Sequence, residues 1–298
     1  MQISIAWWNT SLSPLGEQRA TDEQKKIALD VVRYLTCDLN VDCLALGEVT
    51  LQDLNFFLNT LNLTNYAAYD GTVKEGRLQF DTGALYRTDS LHLVNNKTLI
   101  PSKNGHSFKL ANRLDFIVTD LNIYLHLFIS HWPSRLACDK NNPDRHFLGM
   151  KLREAVQAVN EESGLTAYTV LLGDYNDEPF DSSLAEHLLA VRDRRLVRKR
   201  PELLYNPFWR HLGEPQPYVK DCDTQSCGGS CFHKGGTETQ WRTFDQIIFS
   251  SPFLGGYGIH LNEKFSHILR LESFLPHVLK TTEIFDHFPV ISVIETEG

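Results

Sequence analysis

Short apolar runs of strand length recur along this chain, and many are separated by segments whose apolar residues repeat at helical spacing. Ile3 to Trp8 reads as a buried strand, with Ile3 and Ile5 on one face, ending in the polar turn Asn9-Thr10-Ser11. From about Glu17 to Leu39 the residues Ile27, Ala28, Val31, Tyr34 and Leu35 form a helical stripe, and Thr21 is placed to cap it. Cys43 to Leu46 is a short strand delivering Gly47-Glu48, followed by a helix carrying Leu51, Leu54, Phe57 and Leu58. Phe80 to Tyr86, Leu91 to Val94, Arg113 to Val118 and Ile123 to Ile129 read as strands, with Asp120-Leu121-Asn122 as a hairpin turn. Arg145 to Glu162 is helical by Leu148, Leu152, Ala155, Val156 and Val159, and Thr169 to Leu172, Phe244 to Phe249 and Val290 to Ile294 are strands again. No repeat or low-complexity linker interrupts this order. It favours one layered α/β domain over residues 1–298, with a long decorated loop at about 191–236.

Composition narrows the class. At 42% hydrophobic and 22% charged residues the chain is neither disordered nor fibrous. No apolar run approaches the ~20 residues a spanning helix needs, so no membrane association is expected. The first residues alternate like a strand instead of forming a basic-then-apolar leader, and six cysteines are too sparse for a disulfide scaffold. A cytoplasmic protein with free thiols is the expectation. With 29 basic against 37 acidic residues, passive coating of DNA by charge is excluded. An enzyme that meets phosphate through a metal is not.

The polar residues at the strand ends say more. Asn9, Glu48, His131, Asp174 with Asn176, Asp245, and Asp286 with His287 each lie at or beside the end of an apolar run. Loops at strand ends are where a rigid sheet presents chemistry, and these residue types bind hard cations or move protons. The segments WWNTS, LALGEVT, DTGALYR, NRLDFIVTD, ISHWPSR, LLGDYNDEP, WRTFDQIIFS and FDHFPV follow in an order that resembles the endonuclease/exonuclease/phosphatase, or DNase I-like, superfamily. SHWPSR is most similar to bacterial stand-alone nuclease-type members. The resemblance implies a four-layer α/β sandwich with two packed mixed β-sheets, and Mg²⁺- or Mn²⁺-dependent cleavage of phosphate esters.

It also implies roles, each with a plainer alternative. Glu48 would be the principal metal ligand, supported by Asp286 and by Asn9, which would also bind the substrate phosphate; alternatively Glu48 is a helix-start acid and Asn9 a turn residue. Asp174 would orient or deprotonate the attacking water, and Asn176 would hold the phosphate. In an extended strand end, residues two apart point the same way; the alternative is an acidic turn before Pro179. His131 and His287 would flank the scissile bond, with Asp245 the partner of His287 and Asp81 the candidate partner of His131. Arg113 and Arg135 would contact phosphate, with Arg145 and Arg153 either extending that surface or decorating a helix. A surface arginine is the alternative at Arg113.

Two features fall outside the motifs. Arg192, Arg194, Arg195, Arg198, Lys199 and Arg200 form a basic run that is either a solvated face or a polyanion contact. Cys222, Cys227, Cys231 and His233 are chemically able to bind a structural Zn²⁺, although their spacing matches no zinc finger and idle thiols are the favoured reading. The leading function is a nuclease on DNA or RNA, with a nucleic acid substrate as partner. An inositol polyphosphate phosphatase is the main rival. Glu178 and the tripeptide Phe244-Asp245-Gln246 stand where that group carries other residues. A sphingomyelinase-type enzyme would need a membrane-touching hairpin, which is not found. A catalytically silent binding module would have lost a metal or histidine position, and all are filled.

Overall fold

Strands buried on both faces need two apolar layers to cover them, and here they assemble into two sheets packed face to face. The computed structural model describes the chain except residues 13–19, 77, 165, 214–219, 221–227, 238, 256–257 and 297–298. In chain order the strands of the two sheets begin with β1 (Gln2–Asn9), β2 (Cys43–Gly47), β3 (Tyr66–Asp70), β4 (Thr82–Arg87), β5 (Leu91–Leu99) and β6 (Ala111–Val118). They continue with β7 (Ile123–His131), β8 (Thr169–Asp174), β9 (Ala190–Val191), β10 (Leu204–Tyr205), β11 (Asp245–Ser250), β12 (Ile259–Ile268) and β13 (Val290–Thr296). The first sheet runs β12-β13-β1-β2-β4-β3 and the second β9-β10-β11-β8-β7-β6-β5.

Each sheet has a parallel pair near its centre, β1 with β2 and β7 with β8. The strands flanking these pairs are antiparallel to them. The C-terminal ends of β1, β2, β7 and β8 therefore meet the starts of β4, β11 and β13 at one edge: Gly47 pairs with Thr82, Asp174 with Asp245 and Trp7 with Val290. Topology alone brings the polar strand ends together.

The pleat sorts the core. Leu127 and Ile129 of β7 point between the sheets, with Ile5, Trp7, Leu172 and Ile247. Phe128, Leu171 and Ile248 point the other way, under Leu148, Leu152, Val156 and Val159 of helix α3 (Pro143–Ser163) once α1 (Asp22–Arg33) and α2 (Leu51–Thr60) have flanked the first sheet. Two mixed sheets with helices outside make four layers, the DNase I-like sandwich that the resemblance implied. Among the described residues no helix is long and apolar enough to cross a membrane.

Local signals explain most boundaries. Thr21 caps α1 in a reciprocal box with Gln24, and Thr50 caps α2 with Asp53. The first helix ends earlier than its stripe suggested, because Tyr34–Asp38 widens into a π-type turn; its expected start near Glu17 lies outside the described residues. β3 and β12 were not anticipated. β3 is an edge strand carrying two alanines, and a bulge between Asn262 and His267 breaks the alternation of β12.

Candidate active site

The converging strand ends line a cleft of about 320 Å³, which includes Asn9, Glu48, His131, Asp174, Asn176 and His287. Arg135, Cys231, Arg242 and Asp286 complete much of its wall. Asp245 is fully buried behind His287.

Two histidine–carboxylate pairs face each other across Asp174. His131 Nδ1 lies 3.1 Å from both oxygens of Asp81, and His287 Nδ1 lies 2.7 Å from Asp245 Oδ2. A carboxylate accepts, so each Nδ1 carries its proton toward the acid and each Nε2 is turned to the cleft. The two Nε2 atoms stand 3.9 and 3.8 Å from the same oxygen, Asp174 Oδ2. Burial opposes the charged form of His287, yet Asp245 and its neighbours raise it well above the usual 6.5. His131 is raised too: burial again opposes, and Asp81 outweighs it. Asp81 is buried, but His131 and Lys109, whose Nζ donates to it at 2.6 Å, hold it well below 3.8.

The backing of Asp245 is dense. Trp7 Nε1 donates to its Oδ1 at 2.7 Å across the two sheets, and Ser230 Oγ donates to Oδ2 at 2.7 Å. Trp8 Nε1 donates to the His287 carbonyl at 3.0 Å. These bonds fix the ring that Asp245 orients.

Asp174 and Asn176 both reach the cleft, but not as neighbours on an extended strand. The chain turns after β8: Asp174 Oδ1 accepts from the Asn176 amide at 2.8 Å and Asn176 adopts φ 52°. Asn176 Nδ2 donates to Trp132 O at 3.0 Å. Gly173 precedes the turn because β8 presses on β7 there: a Cβ would lie 1.9 Å from Ser130 O.

Glu48 sits at φ 55°, in the left-handed region that a glutamate rarely occupies. Asn9 Nδ2 bridges it to the water-positioning candidate, donating to Glu48 Oε1 at 3.2 Å and to Asp174 Oδ2 at 3.3 Å. Burial raises the Glu48 pKa; His131 opposes, and Asp81 and Asp286 add to the rise. Asp174 is likewise raised by burial, against the pull of His287. Asp286 is half-exposed at the rim, accepting from Ser11 Oγ at 3.1 Å. Carboxylate oxygens crowded so closely are the donors a hard divalent cation takes, and a cation would relieve their mutual repulsion; Asn9 offers them its Nδ2, while its Oδ1 accepts from the Ser11 amide at 3.1 Å.

Not every expected residue arrives. Arg113 is turned away, which corrects its reading as a phosphate contact. It pairs across the strand with Phe128, whose side chain points to the outer face, so Arg113 does the same. There its Nε donates to Asp115 at 2.8 Å and its Nη2 to Glu162 at 2.7 Å, in a separate cleft with His126. The inward neighbour is Asn112, which donates to Thr82 Oγ1 at 2.8 Å beside Asp81. Asp115 also meets His126 Nδ1 at 2.6 Å. Burial opposes its charge, but His126 and Arg113 hold it below 3.8. Asp115→Asn is expected to cost about 3 kcal/mol in denaturant unfolding near neutral pH while leaving any hydrolytic turnover intact. A group with a depressed folded pKa stabilises above its unfolded pKa, so the cost should shrink as pH falls below about 4.

Arg135 does line the cleft, but Asp181 and Asp177 take its guanidinium and Asn176 O accepts from its Nε at 2.8 Å. Arg145 neither decorates a helix face nor meets the cleft. It is fully buried, donating to the carbonyls of Pro133, Cys138 and Tyr175 and so bracing the loops after β7 and β8. The basic run contributes nothing to the cleft wall; Arg194 pairs with Glu263, Arg200 with Glu202, and Arg192 lies over Trp209. Cys222 and Cys227 lie outside the described residues, whereas Cys231 and His233 line the cleft itself. Reading along the chain missed Trp7, Ser230, Lys109 and Arg242 as parts of the site. Only Trp7 carried a signal, its inward parity with Ile3 and Ile5 just before Asn9.

A sandwich whose strand ends bring two histidine–carboxylate pairs to an acidic cleft defines a hydrolase of the DNase I-like class. Residues 17–269 match the Endonuclease/Exonuclease/phosphatase family, and the chain belongs to it. No curated protein sequence matches. Among solved structures it is similar to the human Nocturnin catalytic domain with bound sulfate, at 16% identity and TM-score 0.64 over 99% of this chain and 95% of that one. It is also similar to D. rerio TDP2 complexed with single strand DNA product, at 15% identity and TM-score 0.60 over 99% of each chain. A Bacteroides thetaiotaomicron mannosyl-6-phosphatase aligns at 15% identity and TM-score 0.59 over 98% of this chain and 99% of that one. At such identities these likenesses speak to fold.

Proposed function

We propose that the protein is a Mg²⁺- or Mn²⁺-dependent phosphodiesterase acting on nucleic acid. The observation that carries this reading is the pair of carboxylate-backed histidines whose Nε2 atoms converge within 3.9 Å of one Asp174 oxygen. That arrangement can hold a water on one side of a phosphorus atom and protonate the leaving oxygen on the other. Glu48, with Asn9 and Asp286 beside it, would hold the cation. Bound there, the metal supplies Lewis-acid polarisation of the phosphoryl oxygen and offsets charge.

The chain's own groups do the rest. Asp174 Oδ2 aligns and accepts the proton of the attacking water, its basicity strengthened by burial. One imidazolium donates from Nε2 to the departing oxygen while the other stabilises the charge gathering on phosphate. Asp81 and Asp245 keep the tautomers and orientations, and Asn176 positions the ester. The four-layer domain over residues 1–298 would carry this as one unit, in the cytoplasm.

The charge balance of the cleft favours a diester over a monoester. Arg135 and Arg242, the arginines of its wall, are matched by Asp177, Asp181 and Glu178. A monoanionic diester tolerates such a wall; a dianionic sugar or inositol monophosphate wants unpaired guanidinium groups there. The mannosyl-6-phosphatase likeness makes that monoester the second reading. Plasmid, single-stranded DNA, RNA, inositol phosphates and a sugar phosphate should be assayed side by side after EDTA treatment, with Mg²⁺ or Mn²⁺ restored. Cation-dependent cleavage of a nucleic acid is expected. Turnover confined to the monoesters, or unaffected by EDTA, sinks the reading.

A further inference from the structure

The hydrolytic scheme gives Cys231, in the cleft wall, no task. Cys231 is buried there and bridged through its backbone to His287. A thiol sulfur of Cys231, a carboxylate oxygen of Asp286 and a ring nitrogen of His287 lie within 4.8 Å of one another. We propose that these three side chains form an inhibitory zinc site overlapping the catalytic centre, so that Zn²⁺ switches the enzyme off by capturing His287.

The donors suit zinc and not magnesium. Thiolate and imidazole are soft or borderline ligands, whereas Mg²⁺ wants oxygen. Asp286 Oδ1 and His287 Nε2 are 3.7 Å apart; two ligand atoms on a tetrahedral zinc sit about 3.4 Å apart given its bond lengths. That pair needs little movement, and the Cys231 sulfur lies within 4.8 Å of both. His287 is already held as a metal-binding histidine is: Asp245 takes Nδ1 and leaves Nε2 to the cleft. The backbone stitches the set together, since Cys231 bridges His287 as in an antiparallel pair and the Phe232 amide donates to Asp286 O at 2.7 Å. With three donors from the chain, a tetrahedral zinc would take water as its fourth ligand.

Binding replaces protons with metal. Burial pushes the Cys231 thiol up to about 12, so without zinc it is protonated and inert. On binding, the S–H bond breaks, a Zn–S bond forms and the proton leaves to solvent; His287 gives up its Nε2 proton in the same way. Nothing is oxidised. The imidazole that would protonate the leaving group is then bound to metal.

The inhibitory half rests on the phosphodiesterase reading, so the test has an arm independent of turnover. EDTA-treated protein should be titrated with Co²⁺ as a probe for zinc, in wild type, in Cys231→Ser and in a Cys222→Ser/Cys227→Ser variant. A thiolate-to-cobalt charge-transfer band is expected in wild type and in the double variant, and should vanish in Cys231→Ser. In parallel, the zinc concentration that halves Mg²⁺-supported cleavage should rise at least about tenfold in Cys231→Ser, each variant being normalised to its own zinc-free rate. A cobalt band without any hydrolysis in wild type would uphold the site and overturn the phosphodiesterase reading. Identical zinc inhibition curves for wild type and Cys231→Ser, or a band that survives in Cys231→Ser and disappears in the double variant, would overturn the site. Circular dichroism and the thermal midpoint establish that Cys231→Ser is folded before either arm is read.

Discussion

Replacing His287 by alanine is expected to slow phosphodiester hydrolysis by ~10²–10⁴ while the fold survives. The side chain is small enough to lose, since Trp8 binds its carbonyl and not its ring. The loss should fall on kcat, because the group acts where the leaving oxygen gains charge. His131→Ala should act similarly. The double variant should lose less than the product of the two, as both imidazoles serve one displacement around Asp174. The pH profile adds a sharper readout. His287 is raised well above 6.5, so its acid form persists through neutrality and the wild-type rate should fall only as pH climbs past that raised value. His287→Ala should flatten that alkaline limb. A variant with near-normal kcat, or with the limb unchanged, would remove His287 from the proton transfer.

Glu48→Gln is expected to abolish turnover at ordinary Mg²⁺. The amide keeps the shape and can still meet Asn9, so any loss reports charge and not packing. Without the anion the remaining oxygen donors hold a hard cation poorly, and Mn²⁺ at high concentration should rescue part of the rate. Isothermal titration with Mn²⁺ provides the direct measurement. Full activity of Glu48→Gln in EDTA-treated buffer would end the metal-centred scheme.

Much of this was readable along the chain because the fold is built from strands, and strand ends are local. Asn9, Glu48, His131 and Asp174 each announce themselves where an apolar run stops, Asp245 where one starts, and the parallel central pairs with their antiparallel neighbours carry these ends to one edge. What the chain hides is which face a residue takes and what neutralises it. Arg113 looked exposed to substrate because its motif fits, but the pleat turned it under α3, one residue out of phase with Asn112. Arg135 reached the cleft already claimed by Asp181, a partner that no spacing rule reveals. Cys231 was grouped with Cys222 and Cys227 by proximity in sequence, whereas β-bridging to His287 decides its surroundings.

The backbone at Glu48 has one more implication. An L-residue held at φ 55° costs roughly 1–2 kcal/mol, and a carboxylate pressed into a partly buried cleft adds to that. Glycine pays neither penalty, so Glu48→Gly should melt at a higher temperature than wild type while hydrolysing nothing. Natural variation at this position would then act as a record of use. In a lineage where hydrolysis no longer matters, drift toward a thriftier residue is downhill, and a glutamate kept in that backbone shape marks a chain still under pressure to react.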